Sequence, residues 1–327
     1  MRVVRIEKFG GPEVLVPGEA PDPVAGPGQV LVRLAAASVN RADVLIRSGA
    51  YHRARRPPLI PGMDGAGTVV SVGEGVTDVL PGQRVMGLGR ELYAELAAIP
   101  AGHLAVLPDE VDLTVAAAVP SVWITAWYCL HRLAGIAKGE TVVVHAAASG
   151  VGTAAVQVAA EAGARVIAVA GTREKAAWAA SFGAVPATGE EEVAALTDGR
   201  GADVVIDAVG GPVFAQSLRQ VAYGGRVVAL ANVALEPSLI DTRDFYPKNA
   251  TIRGFQLTNL MNHGYVPRED LQEIAARIAS GAYRVPIEAR FPLEQAAEAH
   301  RRLEQRTTRG KLVLTMDSVP TSMYGGV

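Results

Sequence analysis

The sequence predicts an α/β protein of two domains, one a mostly antiparallel β domain and the other a doubly wound parallel sheet. Three observations predict it. The first is length: a chain of 327 residues exceeds what a single hydrophobic core usually sustains, so two units of roughly 150 residues are expected. The second is the texture of residues 1 to 120, where short alternating runs such as QVLVRL (29–34), GAGTVVSVG (65–73) and QRVMGLG (83–89) stand between Pro-Gly turn signals at 27–28, 61–62 and 81–82. The third is the regular alternation that follows: TVVVHAA, RVIAVAG, DVVIDAVG, RVVALAN and TIRGFQL, most of them separated by helical stretches. Short strands that are apolar throughout, not on one face only, belong to a parallel sheet covered on both sides.

Between these regions LTVAAAVPSVWITAWYCLHRL reads as a helical connector broken at Pro120. After Pro267 two amphipathic helices and a closing strand, GKLVLTM (310–316), are expected, and this tail is placed to return to the first domain. Trp123, Trp127 and Trp178 fall at helical positions and read as core or interface residues.

Composition narrows the function. Residues are 49% hydrophobic and 20% charged, and the formal charge is −2. That balance leaves no electrostatic footprint for nucleic acid or an anionic membrane. A small-molecule partner is the expectation. Cys129 is the only cysteine, which rules out an internal disulfide and a zinc site built on several cysteines, and suits a reducing cytoplasm. The opening MRVVRIEKFG has no signal-peptide character, and no run of about 18 apolar residues offers a membrane span.

The sharpest local signal is VVVHAAASGVGTAAVQVA, 142–159, where Gly150, Gly152 and Ala155 form G-x-G-x-x-A between an apolar strand and a helix. Small residues let backbone N–H groups approach a pyrophosphate, and the helix N-terminus supplies partial positive charge to meet it. The candidate phosphate-binding residues are therefore Ala148, Ser149, Gly150, Val151 and Gly152. The alternative is a tight turn whose glycines serve packing alone. At the end of the next strand, where a site for NAD wants an acid, the chain has Gly171, Thr172, Arg173 and Lys175. With Thr172 as N-cap, the two cations stand in a first helical turn that disfavours them, and a 2′-phosphate would offset this. NADP(H) is the expected cofactor; a solvated charge cluster that includes Glu174 is the alternative.

GVGTAAVQVAAEAGARVIAVAGTREKAAWAASFGA, with PLIPGMDGAGTVVSVGEGVTDVLPGQRV upstream, resembles the medium-chain dehydrogenase/reductase superfamily and, within it, the zeta-crystallin-like quinone oxidoreductases. The likeness runs from the first strands to GKLVL. It implies a GroES-like catalytic domain from residues 1–122 and 263–327, a Rossmann domain at 123–262, the nicotinamide in a cleft between them, and a homodimer. An apolar strand such as RVVALANVAL, close to a sheet edge, is one candidate for pairing across the dimer axis.

Zinc-dependent relatives hold a catalytic metal where this chain reads VNRADV and PGMDG, with Asn40, Met63 and Asp64 at the ligand positions. A thioether is a poor zinc ligand, Cys129 is distant in sequence, and the histidines at 52, 103, 131, 145, 263 and 300 have no metal-binding spacing. The expectation is hydride transfer without a metal. Quinones and α,β-unsaturated carbonyls suit that chemistry because the incoming hydride leaves its charge delocalised.

Asn40, Asp43 and Arg47 fall at i, i+3 and i+7 of one helix. By resemblance Asn40 positions cofactor and substrate, Asp43 fixes Asn40 or nearby backbone, and Tyr51 donates to the developing oxyanion. The competing expectation is a solvated helix face with Arg47 paired to Asp43. Resemblance also places Thr125 near the nicotinamide carboxamide, and sheet topology places Val209, Gly210, Asn232, Phe255 and Leu257 at strand ends where ligands bind, with Asp207 as a turn cap. Some relatives carry a Tyr near the 2′-phosphate where this chain reads AVPATGEEE; the acidic run there reads as the start of a surface helix. Two other functions stay open. Arg53, Arg55 and Arg56 would suit the mouth of an enoyl-thioester reductase, with a solvated loop as their alternative reading, and a cofactor-binding scaffold without catalysis is the third function.

Overall fold

The computed structural model describes residues 1–52 and 55–316, so Arg53 lies outside the described residues. The chain forms two units, Met1–Ser121 with the segment from Val266 on, and Val122–Tyr265. In chain order the first contains β1 (Arg2–Arg5), β2 (Val16–Glu19), β3 (Gln29–Val39), α1 (Arg41–Ser48), β4 (Asp64–Val72), β5 (Arg84–Leu88), β6 (Leu96–Pro100), β7 (Leu104–Val106) and α2 (Leu113–Ala117). Then come α3 (Pro120–Trp127), a π-helical stretch Tyr128–Ala134, β8 (Thr141–Val144), α4 (Gly150–Glu161), β9 (Arg165–Val169), α5 (Arg173–Ala180), β10 (Val185–Ala187) and α6 (Glu190–Leu196). β11 (Ala202–Asp207), α7 (Pro212–Gln220), β12 (Val221–Ala229), β13 (Thr251–Gly254) and α8 (Leu257–Asn262) follow, and the chain closes with α9 (Arg268–Ala279), β14 (Ile287–Pro292), α10 (Ala296–Glu304) and β15 (Lys311–Thr315).

The first unit is a seven-stranded sheet in the order β14-β15-β3-β4-β5-β7, with β6 also paired to β3, beside the hairpin β1-β2. Period-two patterning builds its core. In β3, Val30, Val32 and Leu34 turn inward while Arg33 faces out, and they pack with Val69, Val85, Ile99, Leu312 and Leu314. From Ala36 to Asn40 burial no longer alternates, because both sides of the strand end are covered. The tail does return here: β15 runs antiparallel to β3 with Leu312 opposite Val39. β14, which the sequence reading omits, pairs in parallel with β15; its IEARFP alternates exposed and half-buried residues, and its charges hide the strand signal.

The second unit is a parallel sheet in the order β10-β9-β8-β11-β12-β13, the doubly wound order in which the direction of strand succession reverses between β8 and β11. TVVV of β8 is buried throughout, as a strand covered on both faces requires. The sheet has a sixth strand, β10, within AVPATGEEE; three residues with Pro186 among them carry almost no periodic signal. RVVALANVAL lies close to the edge, as expected: β12 is next to last, between β11 and β13, and the exposed Thr251–Gly254 strand forms the edge itself. Pro120 interrupts the connector by starting a helix, the position where its missing N–H costs nothing.

Candidate active site

In the second unit the strand-to-helix turns place the sequence-predicted nucleotide residues along one edge of the sheet, at the C-terminal ends of its strands. β8 leads into a turn in which Ala146 takes a left-handed conformation (φ 51°), an uncommon choice for a residue with a Cβ. Its carbonyl accepts from Ser149 N at 2.9 Å, and Ser149 Oγ caps α4 by accepting from Gly152 N at 3.1 Å. Gly150 and Val151 are the first two residues of α4, whose amides have no intrahelical acceptor. That is the donor set a pyrophosphate needs. Gly152 has a different duty. A Cβ there would lie 2.3 Å from Ala146 O and 2.6 Å from Ala147 Cα, so its small size lets the helix close onto the turn.

At the end of β9, Gly171 has open space around it and Thr172 caps α5 by accepting from Lys175 N at 3.2 Å. Arg173, 64% exposed, forms a two-point ion pair with Glu192 of α6, and Glu192 also accepts from Thr188. The acidic run of AVPATGEEE thus opens a helix and also holds Arg173. An exposed pair of this kind contributes little and is readily exchanged for another anion.

Past β11, Asp207 Oδ1 accepts from Val209 N (2.8 Å) and Gly210 N (2.9 Å) while Oδ2 accepts from Ser217 Oγ, the turn-capping role expected of it. Gly210 (φ 73°) lies against Asn232, whose side chain closes its own turn with Leu235 N and Glu236 O. Phe255 follows β13, its amide bonded to Ala229 O, and its ring lies 5.6 Å from that of Tyr128. Leu257 and Thr125 are buried at 7% and 8% exposure, Leu257 at the start of α8 and Thr125 on α3.

In the first unit the polar stripe of α1 is not a solvated face. Asn40, Asp43 and Arg47 are 6%, 0% and 2% exposed, while Leu45 and Ile46 are only half-buried. Arg47 pairs with Glu304 of α10 at 2.6 Å, not with Asp43. Asn40 caps the helix from outside, and Asp43 Oδ2 accepts from its backbone N at 2.9 Å. The Asn40 side chain turns instead into a buried cluster. Its Nδ2 donates to Asp64 Oδ1 (2.8 Å) and Ser38 Oγ (3.2 Å), and its Oδ1 accepts from Lys311 Nζ at 2.6 Å. Ser38 Oγ donates to Asp64 Oδ1 at 2.6 Å, and Asp64 Oδ2 accepts from Ser121 N at 2.9 Å.

Electrostatics around this cluster are those of a dry site. Burial, with the Asp64 charge adding to it, pushes the Asp43 carboxyl up to about 7, and its Oδ1 has no hydrogen-bond partner. Burial lowers the Lys311 ammonium, against the opposing pull of Asp64 and Asp43. Behind Asp43, Tyr93 Oη and His300 Nε2 are 2.9 Å apart; burial raises the phenol and lowers the imidazole to about 3, leaving His300 neutral. Tyr51 lies beyond the C-terminal end of α1. It follows the Gly49 cap (φ 79°) at the far end of α1, with its amide on Leu45 O and its ring centroid 4.6 Å from that of His52. Arg55 pairs with Glu91 at 2.8 Å. Among the described residues no group of three or more His, Cys, Asp or Glu could hold a metal ion.

Lys311, Ser38, Tyr93 and His300 escape a reading of the sequence. Lys311 opens an apolar strand where a lysine ordinarily snorkels to water, and the signal for Asp64 is only an acid heading GAGTVV.

Two family models match the chain: an alcohol dehydrogenase GroES-like domain over residues 26–109 and a zinc-binding dehydrogenase over 182–314. The quinone oxidoreductase of Lama guanicoe is 33% identical over 330 residues, covering 97% of this chain and 98% of that protein. A segment of a polyketide synthase of Streptomyces halstedii is 36% identical over 317 residues, covering 92% of this chain and 5% of that protein. The Escherichia coli quinone oxidoreductase complexed with NADPH superposes with a TM-score of 0.88 at 29% identity, over 96% of this chain and 100% of that one. With this match along nearly its whole length, the chain belongs to the medium-chain dehydrogenase/reductase superfamily, in its zeta-crystallin-like quinone oxidoreductase branch.

Proposed function

We propose that this oxidoreductase reduces quinones or α,β-unsaturated carbonyls with NADPH and without zinc. The observation that carries the reading is the cluster around Asn40. At the positions where zinc-dependent relatives place ligands, an amide and a carboxylate are hydrogen-bonded to one another, and the amide oxygen accepts from a buried ammonium. A cation bound there would face Lys311 without a thiolate or imidazole to hold it.

The second unit fits the cofactor. The amides of Gly150 and Val151 would take the pyrophosphate, Arg173 and Lys175 the 2′-phosphate once Arg173 leaves Glu192, and Val209, Gly210, Asn232 and Phe255 the rest of the nucleotide along the strand ends. The Escherichia coli relative complexed with NADPH supports this choice. NADPH supplies the hydride. In the first unit Asn40 orients the reactants, Asp43 holds Asn40 by its backbone, and Tyr51 donates to the oxygen on which charge develops. The proton that completes the product comes from water. We read the assembly as a cytoplasmic homodimer, with the exposed edge strand β13 available for pairing.

The likeness to a segment of a polyketide synthase favours, as a second reading, reduction of an enoyl thioester. One assay separates the readings: oxidation of NADPH and of NADH with a naphthoquinone, a 2-alkenal and an enoyl thioester, each with and without a strong chelator. Turnover with NADPH that resists the chelator supports the proposal, and the preferred acceptor selects its form. Activity abolished by the chelator overturns the zinc-free chemistry, and binding of NADPH without any turnover points to a scaffold.

A further inference from the structure

Lys311 is 4% exposed, and its Nζ donates to Asn40 Oδ1 (2.6 Å) and to Val39 O (3.1 Å). An ammonium only donates, so the Asn40 atom facing it is the oxygen; the nitrogen then faces Asp64 Oδ1 (2.8 Å) and Ser38 Oγ (3.2 Å). Chemistry settles the orientation of this amide. Asp64 Oδ1 and Ser38 Oγ are only 2.6 Å apart and lie on one side of the nitrogen, so they share one amide hydrogen, and one lone pair of Oδ1 is left for a ligand.

We infer that Lys311 is a positioning residue of the proposed reaction, fixing the Asn40 amide so that its oxygen is presented to the ligand as a hydrogen-bond acceptor. An acceptor suits a ribose hydroxyl or a carboxamide N–H, and it is unsuited to a developing oxyanion. That task falls to a donor such as Tyr51, not to Asn40 Oδ1. A cation is a costly way to satisfy a strand end, since an apolar side chain of similar volume serves packing at least as well. Its presence here matches the two buried acceptors that it meets, Val39 O and, at the shorter distance, Asn40 Oδ1. The placement depends on the fold, because β15 lies against β3 and brings the start of one strand to the end of the other.

The inference rests on the reading of Asn40 as a residue that meets the reactants, and a double-mutant cycle tests it. Wild type, Lys311→Met, Asn40→Ala and the double variant are compared for kcat and KM with NADPH and quinone, for NADPH affinity by fluorescence, and for Tm. If Lys311 acts through Asn40, Lys311→Met lowers kcat/KM about 5- to 30-fold in the native background and by less than about twofold in the Asn40→Ala background. Equal losses in both backgrounds overturn the inference and assign Lys311 to stability alone. Should Lys311→Met fail to fold, Lys311→Gln, which stays polar but whose shorter chain draws its N–H back from Asn40 Oδ1, carries the same cycle under the same criterion. A wild-type enzyme that neither binds NADPH nor reduces a quinone overturns the functional reading, and the inference with it. An active wild type with additive losses overturns the inference alone.

Discussion

The nucleotide edge of the second unit and the buried cluster of the first are built on opposite plans. The edge uses backbone: the amides of Gly150 and Val151, the left-handed Ala146, and the small Gly152, all from one short stretch of chain. The cluster uses side chains drawn from β3, the N-cap of α1, β4 and β15, with Asn40 and Lys311 separated by 271 positions. A site made of backbone tolerates changes of side chain but not of volume. A site made of side chains tolerates small shifts of backbone but not the loss of a partner, because each buried polar atom depends on the others.

Four changes sharpen this contrast, beginning with the largest effect. Gly152→Val should cost about 3 kcal/mol and abolish NADPH binding, since the new atoms meet the backbone of Ala146 and Ala147 and no flexible side chain can yield. Thermal unfolding and cofactor fluorescence measure both, and a variant that folds and binds normally would break the backbone plan.

Next is Asp43→Asn. The folded carboxyl is raised from its ordinary value to about 7, so the folded state binds the extra proton and stability is lost as pH rises from about 4 through about 7. Removing the charge should flatten that slope, a difference of about 2 kcal/mol between pH 5 and pH 8 after allowance for relaxation around the site. Urea unfolding of wild type and variant at the two pH values gives the answer; identical slopes would mean that Asp43 does not titrate in this range.

Arg173→Glu should raise the KM for NADPH about tenfold and leave that for NADH nearly unchanged, the signature of a lost charge-assisted contact to a 2′-phosphate. Equal effects on the two cofactors would remove Arg173 from the site. Smallest is Glu192→Gln, predicted to change stability by less than about 0.5 kcal/mol because its partner is 64% exposed. Its use is to release Arg173, so NADPH affinity should hold or improve in a titration; a clear loss would show that the pair orders the turn.

Legibility followed the same division. The parallel sheet and its G-x-G-x-x-A turn were readable because their signals are local: apolar runs, a small-residue turn, an N-cap. The exceptions were β10 and β14, too short or too charged to show a period. On α1 the spacing of Asn40, Asp43 and Arg47 was visible, but whether that face met water or protein was not, because the answer lies in Glu304, Lys311 and Asp64 elsewhere in the chain.

By itself the sequence determined the two-domain α/β architecture, the place of the glycine-rich turn and the family, since these depend on periodicity, on φ/ψ preferences and on residue types within a few positions of one another. Only the tertiary structure decided that the polar face of α1 is buried, that Arg173 is held by Glu192, and that Lys311 donates to the Asn40 side chain. The physical reason is that burial and charge pairing belong to neighbours in space, and here strand pairing between β3 and β15 chooses those neighbours.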